Sequence, residues 1–196
     1  MNAIKLRARL AARVQNYSKG IGGPEISNED IMLAISLLPE QIQWLIWAKW
    51  FDDESARDKL LAVLKYEAEL QARSAKWRIP DQAKLQKVCE MAIFETTYPR
   101  LCGKCGGHSF CWMEKQKRGR RKGSVAKPLK VQCPVCKGQG VVEYAERWHY
   151  TFAGINRRAW VHWARGYRGV IIPILKEWES EFQRRVLALI KPNIMP

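Results

Sequence analysis

The sequence is short of acid. Its 196 residues hold 19 Asp and Glu against 34 Lys and Arg, a formal charge of +15. An excess of that size on a small chain is the electrostatic footprint of a polyanion binder, with nucleic acid the first candidate and an anionic membrane surface the second. Long apolar runs are missing too. No stretch reaches the roughly 18 consecutive apolar residues that a bilayer-spanning helix needs, and the best run, Gln41 to Phe51, is short and carries Lys49. At the N-terminus Lys5, Arg7, Arg9 and Arg13 alternate with Ile4, Leu6, Leu10 and Val14, without a following apolar core or small-residue cleavage site. That pattern argues against a secretory leader and for a soluble, cytoplasmic protein with no membrane partner. A clustered Asp/Glu/His set of the kind that builds a hydrolytic metal site is also absent, so the chain is not expected to be an enzyme. No internal repeat of 20 to 50 residues is evident.

What the chain does have is apolar material at helical spacing. Hydrophobic residues make up 47% of it, with nine Trp, enough for one core or two small ones. Residues 1–24 read as a basic N-terminal arm, helical over 3 to 18 and stopped by Gly20, Gly22, Gly23 and Pro24. Residues 25–99 read as a helical bundle. Ser27 and Asp30 resemble a helix start before Ile31, Leu33, Ala34 and Leu37. Pro39 can open the next helix, with Ile42, Leu45, Ile46 and Trp50 on one face. The acidic run Asp52–Asp53–Glu54 leads into a long segment through Leu60, Leu61, Leu64 and Ala68, and a further helix from about Pro80 to Tyr98 buries Leu85, Val88, Cys89 and Ala92. After Pro99 the composition changes to Gly, Cys and Lys/Arg, defining a module over 100–142. Helical periodicity then returns over 143–196, where a last helix from about Tyr167 to Ile190, with a kink near Pro173, presents Ile174, Trp178, Phe182, Val186 and Leu189. This helix is expected to pack over the segment that precedes it. The fold class is mainly α: a helical bundle with an inserted four-cysteine zinc module of short β-ribbon and loop, then a helix-turn-helix-like segment and a long C-terminal helix.

Four of the six cysteines stand as Cys102-Gly-Lys-Cys105 and Cys133-Pro-Val-Cys136. In a reducing compartment such pairs favour metal over disulfide, and two of them supply the four soft anionic ligands of a tetrahedral structural Zn2+. Gly106 and Gly138 can leave backbone amides free to donate to the thiolates. A redox Cys-x-x-Cys would follow a strand in a β-α-β pattern, which is not seen here. His108 and Cys111 compete as ligands, His108 through a mixed Cys105-x-x-His108 site; Cys89 reads as core.

Between the pairs lie Lys115, Lys117, Arg118, Arg120, Arg121, Lys122, Lys127 and Lys130, with Glu114 the one acid between residues 106 and 132. Such a run cannot pack against itself and reads as a phosphate-contact loop, contributing affinity rather than sequence choice. Beyond it, Phe152-Ala-Gly-Ile155 has the form of a tight turn between helices, with Asn156 as the cap of the second. In that second helix Trp160, Val161 and Ala164 can anchor inward while Arg157, Arg158, His162 and Arg165 face out. Arg pairs with guanine and Asn with adenine in a major groove, so Asn156, Arg157, Arg158, His162 and Arg165 are the candidate DNA contacts. His149 reads as a polar surface or core position.

The Cys-x-x-Cys, the basic insertion, the Cys-Pro-Val-Cys-Lys-Gly-Gln-Gly and the Ala-Gly-Ile-Asn-Arg-Arg-Ala-Trp segment together resemble the antitermination Q proteins of lambdoid bacteriophages, over about residues 100 to 185. The fragment from Cys133 to Gly140 alone is also similar to the zinc repeat of DnaJ-type chaperones, but a His-Pro-Asp signature is lacking. The Q resemblance implies binding to double-stranded DNA at a phage late promoter and engagement of paused, sigma-bound RNA polymerase in the host bacterial cytoplasm. Readthrough of terminators would follow. It also implies zinc on Cys102, Cys105, Cys133 and Cys136, DNA against Asn156, Arg157, Arg158 and Arg165, and polymerase against the bundle of residues 25 to 98. The basic insertion could touch DNA or nascent RNA. The rival is a zinc-containing repressor or activator that acts only at the promoter.

Neutralising Arg118, Arg120 and Arg121 should flatten the slope of log K against log salt for DNA binding by up to about one unit per lost phosphate contact. Titration across a salt series reads this directly.

Overall fold

The computed structural model describes residues 28–113 and 129–190. The helices before Tyr98 and those from His149 onward form one compact unit, and Tyr98–Trp148 forms a second, inserted in sequence into the first. The expected arm, and the basic residues from Lys115 to Lys127, lie outside the described residues. Among those described, no helix is long and apolar enough to cross a membrane.

The helical unit is assembled at corners that short polar side chains define. Helix α1 covers Asn28–Ser36 and α2 covers Glu40–Ile46, with Pro39 at the N-cap. A π-helical turn, Trp47–Phe51, extends α2. Asp52 then adopts a left-handed conformation, with φ 58°, and ends it. Asp53 caps α3, Glu54–Ser74, by accepting from the Ala56 amide at 3.0 Å. The acidic run is thus a stop followed by a start. Asp81 opens α4, Gln82–Thr97, in the same way, accepting from the amides of Ala83 and Lys84. Carboxylates and amides at these positions satisfy N–H groups that a helix start leaves without partners.

Each helix buries the stripe that its spacing dictates. Ile42, Leu45 and Ile46 face inward from α2, Leu60, Leu64 and Ala68 from α3, and Leu85, Val88, Cys89 and Ala92 from α4. Burial pushes the Cys89 thiol up to about 12, so it behaves as a small hydrophobe.

The return segment contributes α5, Glu146–Phe152, and α6, Arg157–Gly166; a π-helical turn, Tyr167–Ile171, leads into α7, Ile172–Ile190. Pro173 follows directly on the π-helical turn, in which the Ile172 amide donates to Tyr167 O, and the widened turn before it absorbs the steric demand of the ring. Helix α7 packs against α1, α2, α3 and α4, rather than over the segment that precedes it. Its buried stripe of Ile174, Leu175, Trp178 and Phe182 supplies a wall that the first four helices lack. Phe182 is fully buried, 4.9 Å from the Trp50 ring, and Lys49 reaches Glu179 at 2.8 Å. Val186 and Leu189, expected on the same stripe, lie outside the residues whose side chains are described.

A polar node sits within this apolar unit. Glu95 of α4 pairs with His149 Nε2 at 2.5 Å and accepts from the Tyr167 hydroxyl, while the His149 ring stacks on Trp160. His149 is therefore a buried core residue rather than a surface one, tying α4 to the returning chain. Gly166 is fixed by its neighbour: a Cβ there would collide with the Trp77 indole, which in turn meets Trp163 edge-on at 5.7 Å.

Phe182→Ala should cost about 3–5 kcal/mol through lost burial and a residual cavity. Leu70→Ala, at a half-exposed α3 position, should stay within about 0.5 kcal/mol. Urea unfolding followed by helical circular dichroism compares the two.

Candidate metal centre and nucleic-acid interface

The inserted unit has almost no apolar interior. Its buried residues are Cys102, Cys105, Cys133, Cys136 and Gly140, counted among those described, with Cys111 and Val142 packed partly buried against the four sulfurs. The Sγ atoms of these cysteines all lie within 4.8 Å of one another. Cys102 and Cys133 stand 3.8 Å apart, Cys105 and Cys136 3.7 Å. A disulfide would be about 2.0 Å long. The edge of a tetrahedron of sulfurs about 2.3 Å from a central ion is about 3.8 Å. The four thiols are therefore placed to hold one metal ion. His108 is exposed and outside the group, and Cys111 packs beside it without joining it.

Two turns of the same shape make the cluster, one displaced from the other by 31 residues. Gly106, Gly107 and Ser109 have φ of 58, 89 and 67°; Lys137, Gly138 and Gly140 have 50, 81 and 77°. The turns also clasp each other reciprocally. The Cys102 amide donates to Gly140 O, and the Cys133 amide to Ser109 O, both at 2.9 Å. His108 N to Cys105 O is matched by Gln139 N to Cys136 O. The two Cys-x-x-Cys pairs are thus halves of a structural repeat, although beyond the cysteines they share only one glycine, Gly107 and Gly138. The glycines are needed where the turns touch: a Cβ on Gly140 would come within 2.5 Å of Gly107 O.

Backbone amides reach the sulfurs from the residues that follow Gly106 and Gly138. Gly140 N donates to Cys136 Sγ at 3.3 Å, and the amides of Gly107 and Ser109 serve Cys105. The amides of Cys136 and Val135 favour the anionic form of Cys133 and hold its thiol down to about 6. Burial instead pushes Cys105 up to about 11, and Cys111 upward as well. One sulfur is thus ready as a thiolate, while at least one other must lose its proton to a metal.

Antiparallel strands β1, Phe110–Met113, and β2, Leu129–Gln132, form a ribbon beside the cluster, and Leu101 bridges to Val141. Lys130, an expected phosphate contact, lies exposed on β2, its Nζ 4.7 Å from the centre of the Phe110 ring.

In the helical unit, Ala153 and Ile155 are buried at the turn between α5 and α6, and Gly154 has φ 62°. The Asn156 side chain caps α6, accepting from the Ala159 amide at 2.8 Å. Arg157, Arg158 and Arg165 are exposed. His162 is exposed too, but its Nε2 donates to the Arg78 carbonyl at 2.8 Å. Val161 does not anchor the helix and is 72% exposed; the inward stripe is Trp160, Trp163, Ala164 and Tyr167, spaced i, i+3, i+4 and i+7. Sequence reasoning overlooked the solvent-facing aromatics Phe110 and Trp112, whose alternation about Cys111 was the available signal.

Comparison with known proteins finds no family model and no curated protein that matches this chain.

Purified protein should carry one metal ion per chain. Cys133→Ser or Cys136→Ser should release it and unfold residues 100–142, whereas Cys111→Ser should retain it. Because thiols must deprotonate to ligate, apparent affinity should rise with pH and fall steeply on acidification. Elemental analysis and chelator competition across pH check both statements.

Proposed function

We propose that the chain is a zinc-stabilised, DNA-binding transcription antiterminator of the kind its sequence resembles. Zinc is the ion that best suits four buried sulfurs with tetrahedral spacing, and four protein ligands leave no open position for substrate. Its role is therefore structural, with Cys102, Cys105, Cys133 and Cys136 as ligands and no enzymatic step assigned.

One observation carries the DNA reading. Helix α6 begins at a side-chain cap and turns Arg157, Arg158, Val161 and Arg165 outward, while Trp160, Trp163 and Ala164 hold its other face in the core. A rigid helix with guanidinium groups on its outer face suits a major groove, where Arg reads guanine and an exposed valine methyl can meet a thymine methyl. Asn156 already spends its Oδ1 on the cap, and His162 is engaged with Arg78, so the three arginines carry most of this reading. Lys115, Lys117, Arg118, Arg120, Arg121, Lys122, Lys127 and Lys130 add charge that neutralises phosphates. Bound at a late promoter, the protein would engage sigma-bound bacterial RNA polymerase and carry it past terminators.

Transcription in vitro with purified bacterial polymerase, on a template bearing the cognate promoter element and an intrinsic terminator, decides the matter. Readthrough that depends on the element supports antitermination; DNA binding with termination unchanged means a promoter-bound repressor or activator. Arg158→Ala should weaken element binding by about 1–3 kcal/mol and relax one base position, which a panel of single-base variants measures.

A further inference from the structure

The exposed face of the β1–β2 ribbon carries two aromatic side chains beside Lys130. Register places Phe110 opposite Gln132 and Trp112 opposite Lys130, so these four side chains share one face. The alternate position Cys111 packs against the four-cysteine cluster. One face of the ribbon is thus spoken for. On the other, Trp112 is 70% exposed and Phe110 40%, with the Lys130 ammonium held over the Phe110 ring. A tryptophan left that open keeps most of its surface in water, although indole is the side chain with the most area to gain from burial.

We infer that Phe110, Trp112 and Lys130 form a stacking platform for single-stranded RNA. Three features select this occupant. The first is charge. Residues 98–148 hold twelve Lys and Arg against three Glu, a surplus of +9 that attracts phosphates. The second is spacing. Side chains two apart on one strand face stand about 6.8 Å apart, twice the rise of stacked bases in a duplex, so two rings in this arrangement receive bases drawn out of a stack. Duplex bases are covered on both faces; only an unpaired strand can offer them. The third is neighbourhood. Lys130 lies opposite Trp112 and over the Phe110 ring, a cation beside the two aromatics that suits a backbone phosphate, while Gln132 donates its amide to Lys137 O. The choice of RNA over single-stranded DNA rests on the transcription reading, in which the transcript is the unpaired strand outside polymerase.

The test uses the full chain loaded with zinc and fluorescence anisotropy with labelled oligo(U), oligo(dT) and a duplex of equal length. Stacking one base on an aromatic side chain is worth about five- to 150-fold in affinity. Trp112→Ala should therefore weaken oligo(U) binding at least about fivefold, leave duplex binding and zinc content unchanged, and leave the salt slope alone; Trp112→Phe should restore most of the loss. Lys130→Gln should instead lower the slope by about 0.7 for one phosphate. Oligo(U) binding unaltered in the Phe110→Ala/Trp112→Ala double variant would overturn the proposal. So would capture of oligo(dT) but not oligo(U), or a double variant that loses only its hold on polymerase, which would make the face a protein contact. Failure of terminator readthrough with oligo(U) binding intact would remove the antitermination reading and leave the platform standing.

Discussion

Four thiols meeting at one point are the constraint on which the inserted unit depends. Residues 98–148 bring no leucine, isoleucine or aromatic into a described buried position, and a segment of that size cannot be held by hydrophobic burial it does not possess. The sulfurs occupy the place of a core. A divalent cation held by them would turn the same geometry into the strongest set of bonds in the unit. The reciprocal amide-to-carbonyl bonds between the two turns, and the pairing of Leu101 with Val141, then follow from a shape already closed at its centre.

The helical unit is organised by a different force. Its stability lies in apolar stripes, and the stripe on α7 completes what the first four helices begin. Polar groups enter sparingly and with a purpose. Asp53, Asp81 and Asn156 each satisfy amides at a helix start. The Glu95 carboxylate draws His149 and Tyr167 to one point inside the unit. Specific partners of this kind limit the ways in which greasy helices can slide on one another. The chain that leaves at Thr97 is in this way fastened to the chain that returns at His149, on either side of the insertion.

Both units present cations, but in different settings. On α6 the arginines project from a rigid helix whose other face is locked by tryptophans, an arrangement suited to reading the edges of paired bases. On the ribbon a lysine lies over an aromatic ring beside an open indole, an arrangement suited to unpaired bases. Under the proposed function these are complementary tasks: recognition of a site in duplex DNA, and a grip on a single strand.

Much of this was legible in the residues. Helical spacing located α2, α3 and α4 and their buried faces, because burial on one side of a helix must repeat near every 3.6 residues. The two Cys-x-x-Cys pairs identified the four sulfurs that the fold places to hold a metal ion, since ligand chemistry resides in residue type and short spacing. The turn at Gly154 and the cap at Asn156 are local events and were read as such. What only the tertiary structure decided is what depends on partners distant in the chain. The site of α7 against α1–α4, the exposure of Val161 and the burial of His149 against Glu95 follow from which surfaces were left uncovered by other elements. The paired Cys-x-x-Cys turns were visible in the sequence, but their matching φ angles and the bonds between them belong to the tertiary structure, because backbone conformation can repeat where side chains do not.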